Sequence, residues 1–328
     1  MSLHEYRGSE VCMNKEGKQK RGFCYWFSKK IWKYRFLHLM IVPGMIIILL
    51  FRYVPMYGVV IAFKNYLGGG GGFRGISEAP WVGLTNFRMF FSSIYFKRLF
   101  SNTLIISLMR IVFYFPTPII LAIMINEVQN THAKKAVQTI TYMPYFLSWV
   151  VVAGLMQILL SPDGGPINVV RQLFGLEPVY YLASKQHFRG LLILSEIWKN
   201  IGYGSIVYLA GIAGVDQDLY EAARVDGANK IQQIRYITLP GISEIIAVML
   251  ILAVGRVLED NFDQIFNLYS TATYEVADVF ETYIYRTGIT GGKYSYAAAI
   301  GLCKSAVSFV LVVGANWITK RLGSEGII

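Results

Sequence analysis

Apolar runs of about 20 residues recur along this chain, and no other feature restricts its fold as much. A helix needs about that length to cross roughly 30 Å of hydrocarbon. In lipid, each backbone donor and acceptor must be satisfied within such a segment, which leaves helices or closed barrels. Six runs are read, over about residues 36–61, 102–125, 137–160, 188–213, 242–258 and 296–318. They predict an all-α membrane protein with six transmembrane helices. Composition agrees: 54% of the 328 residues are hydrophobic and 16% are charged, where a soluble domain carries about 25% charged residues.

Six spans place both termini on one side. Sixteen Lys and Arg fall in the amino-terminal tail, the 126–136 loop, the 215–239 segment and the carboxyl end; nine fall in the alternate segments. Basic residues accumulate on the cytoplasmic side, so both termini and the central segment are predicted to be cytoplasmic, in a multi-pass membrane protein. A net charge of +11 could suit nucleic acid, but the basic residues crowd into tail residues 1–35, which fits anionic lipid better. No nucleic-acid partner is expected. The tail carries Phe23, Tyr25, Trp26, Phe27, Ile31 and Trp32. It reads either as a surface-bound helix or as an unstructured tether. No cleavage site follows it, so the first span is expected to be retained.

One segment breaks the apolar pattern. Residues 215–240 are polar and charged, with Asp218 and Glu221 spaced as a capping box. A helix is predicted to start near Leu219 and to stop at Asp226-Gly227, where glycine supplies a positive φ. A second short helix is expected from about Asn229, ended by Leu239-Pro240.

Within this segment, Glu221-Ala222-Ala223, three residues, Gly227, nine residues, then Ile237-x-Leu239-Pro240 resembles the EAA loop of type I ABC importer permeases. Tyr53–Gly58, Ala62-Phe63-Lys64 and Trp81–Phe87 resemble the maltose-type, oligosaccharide branch of that family. The resemblance covers about residues 36–320; tail 1–35 lies outside it. It implies that Glu221, Ala222, Ala223, Asp226, Gly227, Ile237, Leu239 and Pro240 form a coupling helix that docks on an ATPase subunit. It further implies a second permease subunit, two ATPase subunits holding ATP and magnesium, and an extracytoplasmic solute-binding protein. The cargo would be an oligosaccharide; an acidic one such as alginate is among the choices, which the motifs do not separate.

Charged and amide groups within spans are costly and usually face a bundle interior or a wet cavity. Glu196, Trp198, Lys199, Asn200 and Tyr203 lie on the fourth span, Arg256, Glu259, Asp260, Asn261 and Asp263 after the fifth, and Tyr294, Tyr296 and Lys304 at the sixth. Aromatic faces and hydrogen-bonding groups suit sugars. From these, Glu196, Trp198, Lys199, Asn200, Tyr203, Arg256, Asp260, Asn261, Tyr296 and Lys304 are the candidate substrate-pathway residues. Glu196 and Lys199 could instead pair locally at i, i+3. Trp149 and Gln157 are weaker candidates.

No phosphate-binding GK[ST] loop, GxSxG or HExxH occurs, so a non-catalytic subunit is expected. The run Gly68–Gly72 reads as a flexible linker. Cys12, Cys24 and Cys303 are scattered, as are the four histidines, which predicts free thiols and no metal site. The alternative, an ion-coupled secondary transporter, should show inverted repeats around broken helices, and no such repeat is read.

Overall fold

The structure, a computed structural model, describes residues 34–68, 72–255 and 262–321. The tail up to residue 33, the centre of the glycine run, and Arg256, Glu259, Asp260 and Asn261 lie outside the described residues. The chain divides into two units, Met1–Gly58 and Val59–Ile328.

In the first unit the described residues form one helical run. α1 spans Arg35–Phe63, its last turns belonging to the second unit. It is α-helical to Ile48, opens into a π turn over Leu49–Tyr53 and tightens to a 3₁₀ helix over Val54–Phe63. Its α-helical part buries no side chain and exposes Phe36 and Met40. A long, mostly apolar helix of this kind suits lipid.

The second unit is also helical, and no strand occurs among its described residues. Short helices Phe73–Glu78 and Thr85–Phe91 lead to α2 (Ile94–Glu127), α3 (Thr131–Phe146), α4 (Trp149–Leu159) and α5 (Pro166–Leu173). Then come α6 (Lys185–Ala213), α7 (Gln217–Val225), α8 (Lys230–Gly241) and α9 (Ser243–Gly255). α10 (Phe262–Leu268), α11 (Tyr274–Ala277) and α12 (Phe280–Ile284) precede α13 (Tyr294–Arg321).

Three π turns share a cause. Leu49–Tyr53, Arg110–Tyr114 and Ile234–Thr238 each end two residues before a proline, Pro55, Pro116 and Pro240. In each, the residue just before the proline donates to the carbonyl five positions back: Val54 to Leu49, Phe115 to Arg110, Leu239 to Ile234. Proline lacks an N–H and its ring collides with the carbonyl four residues earlier. Widening the turn moves that carbonyl aside and lets the helix continue.

The span expected over about 137–160 is not one straight helix. α3 and α4 meet at 102°. Pro144 contributes no donor, Leu147 and Ser148 are extended, and Ser148 Oγ accepts from Val151 N to begin α4. Pro240 was expected to end its helix; it lies inside α8 instead, and a 63° bend follows at Ile242. The first cap of the polar segment is also displaced. Asp216, not Asp218, caps α7 by accepting from Asp218 N at 3.0 Å.

Among the described residues, α1, α2 and Tyr294–Gly314 of α13 are long and apolar enough to cross a membrane, and the α3–α4 and α8–α9 pairs qualify if each counts as one bent span. α6 is 29 residues long, but Lys185, Arg189, Glu196 and Lys199 reduce its apolar character. Its small residues permit close packing. A Cβ on Gly202 would lie 2.1 Å from the Thr141 carbonyl oxygen of α3, so only glycine fits there.

Three buried clusters hold the second unit. One joins Ile106, Ala153, Phe188, Leu192 and Ile265. A second gathers Phe90, Leu99, Phe280, Tyr283 and Ile300, and a third Ala122, Tyr208, Ile212 and Ile242. Buried amides tie elements together: Gln264 donates to Leu192 O at 2.7 Å, and Asn102 to Glu275 O and Asp278 O at 3.0 Å each.

Candidate functional site

Two sites emerge, a charged and aromatic seam on α6 and the exposed α7–α8 segment. On the seam, Arg110 opens the π turn of α2 and reaches Glu196, which is 2% exposed. Its Nε lies 2.9 Å from both carboxylate oxygens and Nη2 donates to Oε1 at 2.7 Å. The local Glu196–Lys199 pair is therefore not formed. Lys199 turns to α3, donating to Tyr145 O at 2.6 Å, with its ammonium 5.2 Å from the Tyr145 ring and 5.6 Å from Trp149. Tyr145 stacks on Tyr203 at 3.9 Å with rings 5° from parallel.

Lys199 is thus a buried cation held by a carbonyl and two rings, with no carboxylate partner among the described residues. Trp198 and Tyr203 remain half-exposed on the same helix, and Asn200 is partly buried. The remaining described candidates lie apart from this seam. Tyr296 joins the aromatic cluster around Phe90, and Lys304 pairs with Glu281 of α12. Tyr145 escaped the sequence reading, having no charge and no motif to mark it. Arg110 was not among the candidates either; its only signal is a charge inside an apolar run.

Between the helices, residues 262–293 form a knot of ion pairs. Lys185 pairs with Glu275, and Arg286 with Asp278 beneath the Tyr274 ring. The hydrogen bond from Lys185 holds the Glu275 carboxyl below its ordinary pKa. Burial alone would lower the Arg286 guanidinium, but the bond and charge of Asp278 outweigh it and raise that group.

The α7–α8 segment projects its motif outward. Glu221, Ala222, Asp226 and Gly227 are exposed, Ala223, Ile237 and Leu239 partly so, and Pro240 is exposed. Gly227 adopts φ +80°, as the turn requires. The Glu221 side chain makes no hydrogen bond or ion pair among the described residues. Leu219, Val225, Ile231 and Tyr236 are large, exposed and apolar on the same segment. Its inner face is fixed. Tyr220 OH and Thr238 Oγ1 share a hydrogen bond of 2.9 Å, Asn229 and Gln232 form a reciprocal cap, and Lys230 pairs with Glu127 at 2.6 Å. A polar cavity of about 230 Å³ lies between the ends of α2 and α6 and this segment.

An exposed motif on a braced helical elbow, beside helices that suit lipid, is the geometry that comparison with known proteins explains. Residues 115–324 match the family described as binding-protein-dependent transport system inner membrane component. The chain belongs to that family. The permease is 44% identical over 298 residues to the polygalacturonan/rhamnogalacturonan transport system permease protein YteP of Bacillus subtilis, covering 91% of this chain and 92% of the relative. It is 40% identical over 293 residues to the protein LplB of the same organism, covering 89% and 91%. Among solved structures it is similar to a chain of a bacterial alginate ABC transporter in complex with an alginate pentasaccharide-bound periplasmic protein. There the TM-score is 0.82 and the identity 43%, over 91% of this chain and 99% of that one. The permease is a non-catalytic subunit of an ABC importer. The ion-coupled alternative finds no support in these relatives.

Proposed function

We propose that this permease passes an acidic oligosaccharide, of the alginate or polygalacturonate type, along the α6 seam. One observation carries the reading: Lys199 is a buried cation without a carboxylate partner among the described residues, on the helix that also carries the half-exposed rings of Trp198 and Tyr203. Sugar CH faces rest on such rings, and a uronate would find the ammonium already desolvated. The alginate and polygalacturonan transporters among its relatives support the same class of cargo. Arg256, Asp260 and Asn261 remain proposed pathway residues, as do Glu196, Asn200, Tyr296 and Lys304 with the structural partners described above.

The proposed topology has six spans in the inner membrane with cytoplasmic termini, namely α1, α2, the bent α3–α4 and α8–α9 pairs, α6 and α13. A second permease, two ATPases that hold ATP and magnesium, and an extracytoplasmic binding protein complete the machine. The α7–α8 segment docks on an ATPase through Glu221, Ala222, Ala223, Asp226, Gly227, Ile237, Leu239 and Pro240. Closure of the ATPase pair then moves this braced elbow and rotates the attached helices as rigid bodies.

The test is saccharide-stimulated ATP hydrolysis by the reconstituted complex with its binding protein. Uronate oligomers should stimulate, neutral oligomers of equal length should do so far less, and Lys199→Met should erase that preference without preventing assembly. Equal stimulation by both in the unaltered complex, or an unaltered preference in Lys199→Met, removes the acidic-cargo reading. For coupling, Glu221→Arg should abolish uptake while an assembled complex still hydrolyses ATP; full uptake would refute the docking role.

A further inference from the structure

α5 is built inside out relative to a helix of a soluble protein. It is eight residues long and projects Ile167, Val169, Val170 and Leu173, with Phe174 just beyond, away from the protein. Leu173 and Phe174 are 80% and 78% exposed. At 100° per residue these side chains fill one arc, and Asn168, Arg171 and Gln172 fill the other. The residue turned inward is polar. Asn168 is 1% exposed and its amide donates to Leu160 O, Ser161 O and Val179 O, while its Oδ1 accepts from Val179 N at 2.8 Å.

That cage fixes the helix to the end of α4 and leaves no freedom to roll its apolar arc under the protein. The α4 surface that runs up to it is itself apolar and open, with Val150, Val151 and Ile158 exposed. At the junction sit Arg171, bonded to Glu177 O, and the rings of Tyr180 and Tyr181, the residue types that collect at a membrane–water boundary.

We propose that α5 is an interfacial helix that lies along the membrane surface, its Ile167–Phe174 arc inserted at the boundary between lipid headgroups and acyl chains. Continuity with the open apolar side of α4 selects lipid over a protein partner. The helix would set the depth of the α4 end in the bilayer, because the Asn168 cage transmits its position directly. This inference rests on membership of the membrane-component family and is independent of which cargo is carried.

The experiment places an environment-sensitive fluorophore on Phe174→Cys, and separately on Gln172→Cys, with Cys12, Cys24 and Cys303 replaced by serine. The complete transporter is reconstituted in phosphatidylcholine–phosphatidylglycerol vesicles. Nitroxides on shallow or deep acyl positions, and aqueous iodide, serve as quenchers. The Phe174 probe should be quenched roughly twofold or more better by the shallow nitroxide than by the deep one, and little by iodide. The Gln172 probe should favour iodide. Free iodide access at Phe174, or shielding from iodide and nitroxides alike as under a protein partner, overturns the proposal. Should the cysteine replacements prevent assembly, Phe174→Trp in the unaltered chain with brominated lipid reads the same contact. An added tryptophan signal insensitive to brominated lipid would count equally against it.

Discussion

The charges of the seam divide into two kinds, and their variants should behave differently. Glu196 is buried and its carboxylate is gripped by the planar fork of Arg110. Removing one partner strands the other in a poorly solvated place, at a cost of about 3–5 kcal/mol. Arg110→Ala should therefore sharply lower the thermal midpoint of the detergent-solubilised complex, and the double change Arg110→Met with Glu196→Gln should recover much of it. Equal losses in single and double variants would contradict the pairing. Among the described residues, Lys199 leaves no opposite charge behind. Lys199→Met should cost only about 1 kcal/mol, the scale of one hydrogen bond, and alter the response to cargo instead. The sequence marked Glu196 and Lys199 through the cost of charge in apolar runs. It did not show who pairs with whom, because helical spacing reports only neighbours three or four residues away, and Arg110 lies 86 positions from Glu196.

At the scale of elements, long apolar helices were legible and their breaks were not. Apolar length located α1, α2 and the Tyr294–Gly314 part of α13, each long and apolar enough to cross a membrane. Prolines signalled disturbance without fixing its form. Pro116 and Pro240 are absorbed by π turns, whereas at Pro144 the chain soon extends and Ser148 starts a new helix. After Pro144, Leu147 and Ser148 take extended backbone and Ser148 caps α4, whereas after Pro240 the helix runs on to Gly241 before the 63° bend at Ile242. Pro240→Ala should let residues 234–238 return to an α-helical register and turn the coupling segment relative to α9. The expected result is uptake reduced several-fold with ATP hydrolysis retained; unchanged uptake per ATP would show that the π turn is mechanically idle. Gly202→Val has a different outcome. Its side chain meets the Thr141 carbonyl, and overpacking should destabilise by about 1–3 kcal/mol or more, lowering the yield of folded permease. A variant of unaltered yield and midpoint would mean that α3 and α6 can separate without penalty.

For the whole machine, the proposed coupling role asks how motion of the exposed α7–α8 segment would reach the long helices. The pattern that resembles an EAA loop is visible in sequence because its residues lie close together, whereas the brace behind it is not. Lys230 of α8 pairs with Glu127 at the end of α2, linking the elbow to the helix that also carries Arg110 and so grips α6. Both partners are partly solvated, and such pairs contribute within about 0–1 kcal/mol. Their value is therefore geometric, in fixing where the elbow sits when pushed. Glu127→Lys should leave the thermal midpoint of the assembled transporter nearly unchanged while lowering uptake per ATP hydrolysed, because the elbow then yields before α2 moves. Adding Lys230→Glu reverses both charges and should restore the ratio. A double variant as poorly coupled as the single one would assign the defect to Glu127 alone, and a single variant with normal coupling would leave the elbow connected to the spans only through the α7 and α8 ends.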